Sequence, residues 1–226
     1  MAPSRASRAV FVTGTDTGVG KTFVTCALAH ALRRRWRRVS VMKPVETWVE
    51  GEPEDARALQ AAAGDPAPLD VVCPYRLRAP LAPSVAAALE GRHVDVRRLV
   101  ALVRARAAEA DVLLVEGAGG LLVPLEGETT YADLAVACDL PLLIVAANRL
   151  GTINHCSLTA RVARVMGLTV RGFVLSQPAA TADASAAGNA KAISTLTNLP
   201  CLGSLAHAPS PAAASALLDV DAIVHG

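Results

Sequence analysis

The sequence predicts one α/β domain built on a doubly wound, mainly parallel sheet with helices on both faces. Short runs rich in Val, Leu and Ile alternate with longer helical stretches, which is typical of strands joined by crossover helices. The apolar runs are continuous, as in strands buried on both faces of a parallel sheet. We therefore expect residues 1–226 to form a single domain, with residues 1–8 and 210–226 as peripheral ends.

The same alternation assigns most of the elements in order. The strand candidates end near Gly, Pro, Asn or Ser and comprise residues 9–14, 39–45, 112–117, 142–148, 170–176 and 201–206. The helix candidates between them comprise residues 22–36, 53–63, 94–109, 153–166 and 183–196. We expect the Ala- and Pro-rich residues 208–214 to form a loop before a last short helix.

Composition excludes several classes of partner. The net charge of +2, from 22 basic and 20 acidic residues, is too balanced to indicate nucleic acid or an anionic membrane. Five cysteines are scattered without a C-x-x-C pair, which indicates free thiols in a reducing compartment. The longest apolar stretch, residues 140–147, is far shorter than the about 20 residues of a membrane span, and residues 9–12 are too few for a signal peptide. We therefore expect a soluble, cytoplasmic protein.

A glycine-rich segment, residues 14–22, follows the first strand and opens the first helix with the letters GTDTGVGKT. In this context backbone N–H groups and the positive helix end can surround a phosphate. Lys21 would reach the β- and γ-phosphates and the Thr22 hydroxyl would bind Mg²⁺. The segment is a variant, because the strict pattern has glycine where this chain has Thr15, and a chance turn is the alternative. It favours a fold of the P-loop NTPase type.

Polar residues end other strands at the edge where ligands bind in open parallel sheets, and Asn148 at the end of the fourth strand is one of them. Glu116 ends a buried apolar strand, and a carboxylate there is a good Mg²⁺ ligand; an ion pair with a lysine is the alternative. Lys43 ends the second strand and could stabilise the charge of phosphoryl transfer, although an exposed lysine is also possible. Asp55 begins a helix, where an acidic residue is usually a cap or a dipole partner.

Taken together, these motifs resemble the dethiobiotin synthetase family. The matching elements, in the family's order and spacing from residue 10 to about residue 173, are G-T-D-T-x-x-G-K-T at residues 14–22, K-P-V at 43–45 with Thr47, E-G-A-G-G at 116–120, and L-G-x-I-N-H at 150–155. The resemblance implies a Mg²⁺-dependent cyclo-ligase that uses ATP and CO₂ to close a ureido ring on 7,8-diaminononanoate. It implies a carbamate, then a carbamic–phosphoric anhydride, and finally dethiobiotin, ADP and phosphate.

The resemblance also assigns roles to individual residues. It implies catalytic roles for Lys21, Lys43 and Thr17, and Mg²⁺ ligation by Thr22, Asp55 and Glu116. The implied nucleotide contacts are Gly18, Val19, Gly20, Lys21, Thr22, Phe23, Asp55, Glu116, Gly117, Ala118, Gly119, Ser176, Gln177, Ala206, His207 and Ala208. The implied substrate contacts are Thr47, Gly151, Thr152 and Asn154, of which residues 150–155 would come from the partner subunit of a homodimer. There the start of a helix offers N–H groups to the substrate carboxylate.

The chain departs from the family at two positions. Trp48 stands where the family usually has glycine, and the loop from there to Asp55 is short, so the substrate pocket is expected to differ in shape. Ser176 stands where the family has an adenine-binding Asn, so nucleotide selectivity is expected to be weaker.

Two other functions fit a P-loop chain. A partner-regulated ATPase switch of the partitioning type is the main alternative, but such proteins carry an extra lysine early in the phosphate loop, and residues 15–19 contain none. A GTPase is less favoured, because Gly151 replaces the acidic residue of the guanine motif N-K-x-D. The Arg cluster at residues 33–38 would lie at a helix end, where cations favour the helix dipole.

Overall fold

A computed structural model describes residues 8–177, 183–206 and 210–225 of the chain. Its centre is a six-stranded parallel sheet in the order β10-β9-β8-β1-β5-β2. These strands are β1 (Arg8–Gly14), β2 (Val39–Met42), β5 (Val112–Gly120), β8 (Leu142–Ala147), β9 (Val170–Ser176) and β10 (Cys201–Leu205). Two small sheets flank it, formed by β3 (Val45–Glu46) with β4 (Tyr75–Arg76), and by β6 (Pro124–Glu126) with β7 (Thr129–Thr130).

Helices connect the strands and cover the sheet. They are α1 (Lys21–Arg33), α2 (Glu54–Ala63), α3 (Leu69–Val72), α4 (Pro83–Leu89), α5 (Val96–Glu109), α6 (Tyr131–Ala137), α7 (Thr152–Val165), α8 (Ala186–Thr197), α9 (Pro211–Ala214) and α10 (Val220–His225). The predicted fold class, a doubly wound parallel sheet of the P-loop type, is confirmed. Within the described residues, every helix is too short or too polar to cross a membrane.

The core lies on both faces of the sheet because successive side chains of a strand point to opposite sides. In β1, Val10 and Val12 pack with Leu28 of α1 on one face. Phe11, between them, belongs to the buried cluster on the other face, which also contains Leu99 of α5. All five side chains are fully buried. Continuous apolar strands are therefore the sequence pattern of this sheet, as predicted.

The predicted strand at residues 39–45 was wrong in its extent. The strand β2 ends at Met42, and Val45–Glu46 pairs with Tyr75–Arg76 in a separate sheet. Between them the Lys43 N–H donates to the carbonyl oxygen of Val72 at 2.8 Å. Pro44, which lacks an N–H, cannot donate a further hydrogen bond to the ladder with β5. The chain therefore leaves the main sheet at Lys43, directly at its carboxyl edge.

The carboxyl-terminal segment also differs from the expectation. Residues 211–214 are helical rather than a loop, with Pro211 at the first position, where a missing N–H costs nothing. The segment is not peripheral in the described residues up to 225. Ala214, Val220 and Ile223 are buried and belong to the same apolar cluster as α1. The apolar side chains of this end therefore complete one face of the core.

Candidate active site

The loop between β1 and α1 has the backbone that its glycines predict. Gly18 and Gly20 have φ values of 71° and 85°, in the left-handed region that costs glycine least. Gly14 packs so tightly that a Cβ would lie 2.8 Å from the Lys21 Nζ. The Lys21 ammonium therefore approaches the backbone at residue 14, and this is where the loop needs glycine. Thr15 can then occupy the position at which the strict pattern has glycine. The Lys21 Nζ donates to the Asp16 carbonyl oxygen at 3.0 Å, and the ammonium lies inside the loop.

Beside the loop, Lys43 lies between two carboxylates. Its Nζ is 2.7 Å from Glu116 Oε1 and 2.6 Å from Asp55 Oδ2. The Thr22 hydroxyl donates to the same Glu116 oxygen at 2.9 Å. The structure thus brings together Thr22 and Asp55 from two helix starts, Lys43 from the end of β2, and Glu116 from within β5. The alternative prediction for Glu116, an ion pair with a lysine of the site, is confirmed, whereas exposure of Lys43 is not observed.

Burial and charge set the protonation of these groups. Burial disfavours a charged Lys43, but the Glu116 and Asp55 carboxylates outweigh it, so the pKa of Lys43 lies above its ordinary value. Burial likewise opposes ionisation of Asp55, yet the Lys43 ammonium holds the pKa of that carboxyl below its usual range. Burial, aided by the charge of Lys43, lowers the pKa of Lys21 to about 8. An added anion would therefore relieve the mutual repulsion of two cations.

The oxygen atoms around Glu116 fit a magnesium ion. Glu116 is fully buried, and its Oε2 has no hydrogen-bond partner among the described residues. Such an orphaned oxygen is costly unless a ligand satisfies it. The donors Thr22 Oγ1, Asp55 and Glu116 are the oxygen ligands that Mg²⁺ prefers, and Mg²⁺ usually takes only one or two carboxylates beside phosphates and water. The described residues contain no cluster of three or more His, Cys, Asp or Glu side chains suited to a metal.

A cavity of about 700 Å³ opens beside these charged groups. Predicted site residues at its wall are Thr17, Gly18, Gly20, Lys21, Thr22, Phe23, Lys43, Thr47, Asp55, Ala118 and Gly119. Trp48 and Leu81 add apolar surface to the wall. Val19, Glu116 and Gly117 do not line it, because Val19 and Glu116 are buried and Gly117 packs against the ring of Phe11. One strand-rich rim therefore carries both the charged groups and a cavity of ligand size.

Glu46 is a cavity residue that sequence reasoning missed. It is buried, and its two carboxylate oxygens accept the N–H groups of Asp55 at 3.0 Å and Ala56 at 2.9 Å. Burial raises the pKa of Glu46, although these two hydrogen bonds oppose that change. Glu46 therefore holds the start of α2, which has Pro53 in place of a polar N-cap residue. The absence of a polar N-cap residue before α2 was the sequence signal that a distant side chain had to accept these N–H groups.

The predicted substrate residues at the start of α7 lie apart from this cavity. Gly151, Thr152 and Asn154 are absent from its wall, and Asn154 is exposed. Gly151 has a φ of 92° and directly precedes α7. The Thr152 N–H donates to the Arg149 carbonyl oxygen at 3.2 Å, and because no side chain caps the helix, the N–H groups of Ile153 and Asn154 are the ones that could bind an anion. Asn148, the polar residue after β8, turns away and accepts from the side chain of Asn189 at 2.9 Å. Only part of the predicted rim therefore converges within one chain.

The predicted nucleobase residues lie at the far side of the loop. Ser176 is buried, and a Cβ on Gly20 would collide with its hydroxyl oxygen. The N–H of Gln177 donates to the Leu205 carbonyl oxygen at 2.9 Å, and Ala206 follows β10 directly. His207 and Ala208 lie outside the described residues. The ends of β9 and β10 are thus beside the phosphate loop, where a nucleobase would follow the phosphates.

Comparison with known proteins gives close sequence relatives. A family model described as an AAA domain matches residues 8–214. The chain is 51% identical over 201 residues to the ATP-dependent dethiobiotin synthetase BioD of Anaeromyxobacter sp. (strain Fw109-5), covering 88% of this chain and 90% of the relative. It is 42% identical over 205 residues to the protein of the same name from Aromatoleum aromaticum, covering 88% and 91%.

Solved structures show a more distant likeness. A ParA family ATPase from Chlorobium tepidum TLS matches with a TM-score of 0.56 at 14% identity, covering 96% of this chain and 92% of that one. The MinC:MinD cell division protein complex of Aquifex aeolicus matches with a TM-score of 0.54 at 15% identity, covering 89% and 82%. At such identities the likeness concerns the fold alone.

Proposed function

Because the chain belongs to the ATP-dependent dethiobiotin synthetase family, we propose that it closes the ureido ring of dethiobiotin on 7,8-diaminononanoate. It is an ATP-dependent cyclo-ligase with CO₂ as the second substrate. The observation that carries the proposal is the convergence of Lys21, Lys43 and Glu116 beside the cavity of about 700 Å³. This arrangement provides cations where a polyanionic nucleotide must meet a second anion.

The reaction requires two anions to approach each other. One amine adds to CO₂ and loses a proton, which gives a carbamate. A carbamate oxygen attacks the γ-phosphorus and displaces ADP, and the second amine then attacks the carbamoyl carbon and releases phosphate. Lys21 and Lys43 stabilise the phosphate and carbamate charges, and Thr17 lies at the cavity wall to bind the carbamate. Most of the rate would come from positioning and electrostatic stabilisation.

Mg²⁺ would be held by Thr22, Asp55 and Glu116, and when bound it neutralises charge on the nucleotide phosphates. The unpartnered Glu116 Oε2 supports this assignment. With its terminal phosphate on the β5 side of the loop, the nucleotide would continue across Gly20 towards Ser176, Gln177 and Ala206, on the other side of β1. A buried serine hydroxyl offers a base edge fewer hydrogen bonds than an amide does. Selectivity for adenine is therefore expected to be modest.

The substrate carboxylate requires a partner from a second subunit. The two cations of the cavity, Lys21 and Lys43, face the phosphate site, and its remaining wall residues are neutral or acidic. Asn154 is exposed outside that cavity, and the N–H groups of Ile153 and Asn154 stand at the start of α7 without a side-chain cap. In a homodimer these groups of one subunit could bind the carboxylate of a substrate held by the other. Leu150, 81% exposed beside them, would become buried in such a dimer.

We also propose a cytoplasmic location. The five cysteines, of which Cys26, Cys73 and Cys156 are buried, are all free. Burial raises the pKa of each of these three thiols to about 12, so they are poor nucleophiles at neutral pH. Unpaired thiols of this kind suit a reducing compartment.

A direct assay tests the proposed function. The protein is incubated with 7,8-diaminononanoate, bicarbonate, Mg²⁺ and ATP, and dethiobiotin and ADP are quantified by mass spectrometry. We expect equal amounts of both products, no turnover without either the diamine or bicarbonate, and none after chelation by EDTA. ATP hydrolysis that ignores the diamine but responds to a protein or DNA would contradict the proposal. It would favour the partner-regulated switch instead.

A further inference from the structure

Trp48 has a backbone conformation that suits glycine rather than tryptophan. Its φ is 63°, in the left-handed region where a bulky side chain is strained. The other described non-glycine residues with positive φ are Asp139 and Asn198, the residue types that tolerate this region best. Hydrogen bonds fix the conformation, because Trp48 N–H donates to Ala79 O at 3.3 Å and Val49 N–H donates to Leu77 O at 2.9 Å.

The indole of Trp48 has little buried surface in the free protein that could offset this strain. It is 71% exposed. The aromatic contacts within the described residues join Phe11 to Tyr131 and Trp36 to His225, and none includes Trp48. An exposed, strained aromatic residue at a cavity is the kind of outlier from which a functional role can be inferred. The chain therefore keeps a large apolar surface available at this position.

The position of Trp48 relates it to the substrate. It directly follows Thr47 and lines the same cavity as Lys43 and Asp55. Leu81, 42% exposed, and Pro80 belong to the same wall. The substrate has two amines at one end, a carboxylate at the other and a methylene stem between them. When the carbamate formed on one amine lies beside Lys21 and Lys43, the methylene stem extends out of the cavity along its apolar wall.

We propose that Trp48 binds the methylene stem of the diamine and selects substrates that carry such a stem. The inference rests on the proposed function, because it presumes a diamine in the cavity. An indole covers a large apolar area at low entropic cost, since it has only two side-chain torsions to fix. Contact with the stem removes apolar surface of both from water, which gives Trp48 the stabilisation that the free protein lacks.

The first experiment distinguishes binding of the methylene stem from binding of the two amines. Steady-state kinetics are measured for the wild type, Trp48→Gly and Trp48→Phe with three diamines. These are 7,8-diaminononanoate, then 2,3-diaminononane, which keeps the stem without the carboxylate, and finally 2,3-diaminobutane, the stemless diamine. Trp48→Gly should raise KM for both stem-bearing diamines about ten-fold, as the loss of roughly 50 Å² of buried apolar surface predicts. The kcat, and KM for ATP and for the stemless diamine, should stay within about two-fold of wild type.

Conservative and distant substitutions serve as controls. Trp48→Phe should keep KM near the wild-type value, because a phenyl ring still covers the stem. Trp36→Phe replaces the second tryptophan, which contacts His225 away from the cavity, and should leave all constants unchanged. Since the chain has only two tryptophans, the emission of Trp36→Phe reports Trp48 alone. It should shift to shorter wavelength on titration with 2,3-diaminononane and stay unchanged with the stemless diamine.

The outcomes distinguish this inference from the function on which it rests. If the wild type closes no ring on any diamine, the proposed function fails and the inference fails with it. If the wild type is active and Trp48→Gly keeps the wild-type KM for stem-bearing diamines, only the inference is overturned. An equal rise in KM for the stemless diamine would show that Trp48 acts on the amines, and a lower thermal midpoint of Trp48→Gly would show that the indole serves the fold. Either result also overturns it.

Discussion

Lys43 balances the charge of the site. Its side chain is 3% exposed, and it lies between a fully buried carboxylate, Glu116, and the half-buried carboxylate of Asp55. Removing one member of a buried pair costs more than the pair itself contributes, because the remaining charge stays buried without compensation. Substitution of Lys43 therefore alters stability as well as catalysis, and the two effects must be measured apart.

Lys43→Met is expected to lower the free energy of unfolding by about 3 kcal/mol, because Glu116 loses its cation. The double substitution Lys43→Met with Glu116→Gln should recover most of that stability, since a neutral amide replaces the buried charge. Both variants should lose ring closure by about a hundred-fold or more, because the ammonium that stabilises the developing charge is absent. Urea unfolding and dethiobiotin formation are the measurements.

Lys191→Met, on the exposed surface of α8, provides the matched control and should change neither quantity. A double variant no more stable than Lys43→Met would refute the account of Glu116. Near-normal ring closure in the refolded double variant would refute the catalytic role of Lys43.

Single residues were predictable where chemistry and strand position coincide. Lys21 and Lys43 follow β1 and β2, and Glu116 lies within β5; because these strands are parallel and neighbouring, polar residues towards their carboxyl ends had to meet at one edge. Glu46 was missed because its partners are the N–H groups of a helix nine and ten residues later, a pairing that leaves no periodic signal. Asn148 shared the strand-end position but bonds to Asn189, a residue of a distant helix that the sequence pattern alone does not pair with it.

At the scale of elements, the start of α2 determines where Asp55 lies. Glu46 belongs to β3, the short strand that follows the point where the chain leaves the main sheet. Its carboxylate caps α2 in place of a side chain next to the helix start. A helix start without a cap leaves N–H groups unsatisfied, and these are costly when buried. The position of a proposed metal ligand thus depends on a contact between two elements.

Glu46→Ala is expected to lower the free energy of unfolding by about 2 kcal/mol, because two N–H groups lose their acceptor. Glu46→Gln should lose about half as much, since its amide keeps one acceptor oxygen. Urea unfolding measures both, and the Mg²⁺ concentration for half-maximal turnover should rise in Glu46→Ala as Asp55 loses its support. Glu54→Ala, an exposed acidic residue in the first turn of the same helix, is the control. Equal losses in Glu46→Ala and Glu54→Ala would contradict the capping role.

Elements were predictable in proportion to their length and burial. The long helices and the buried strands show a clear pattern, and their observed bounds lie within a few residues of the predicted ones. The short helices α3, α4 and α6 were missed, because four to seven residues span too little of a helical period. The small sheet of β3 and β4 was missed for the same reason, since each of its strands has two residues.

At the scale of the whole molecule, the parallel sheet explains why the predicted substrate residues lie in two separate places within one chain. The strands β1 and β2 deliver the phosphate loop and Lys43 to one cavity, and β5 places Glu116 against Lys43, buried behind the cavity wall. The start of α7 follows β8 on the same edge but outside that cavity. Leu150, Leu158 and Val165, which are 81%, 53% and 88% exposed, extend from it along α7. A second copy that covers them would bring Asn154 to the partner's cavity.

Mixing of two damaged proteins tests this shared site. Lys21→Ala should abolish turnover in the cavity of the chain that carries the substitution. Asn154→Ala should raise KM for the diamine more than KM for ATP. In a mixture that exchanges subunits, half of the dimers are mixed, and each mixed dimer has one site in which both residues are intact. At a subsaturating diamine concentration the mixture should therefore reach about one quarter of wild-type activity, well above either variant alone.

A substitution that prevents dimer formation provides a control for the mixing experiment. Leu158→Glu should give monomers in analytical ultracentrifugation and lose complementation, because a carboxylate is costly to bury at an apolar contact. Leu217→Glu, at a position 53% exposed on a different part of the surface, should stay dimeric and active. Activity in the mixture equal to the average of the two variants would mean that each chain completes its own site. The carboxylate of the substrate would then have to be bound within one cavity, whose cations among the described residues, Lys21 and Lys43, would also have to bind the nucleotide phosphates.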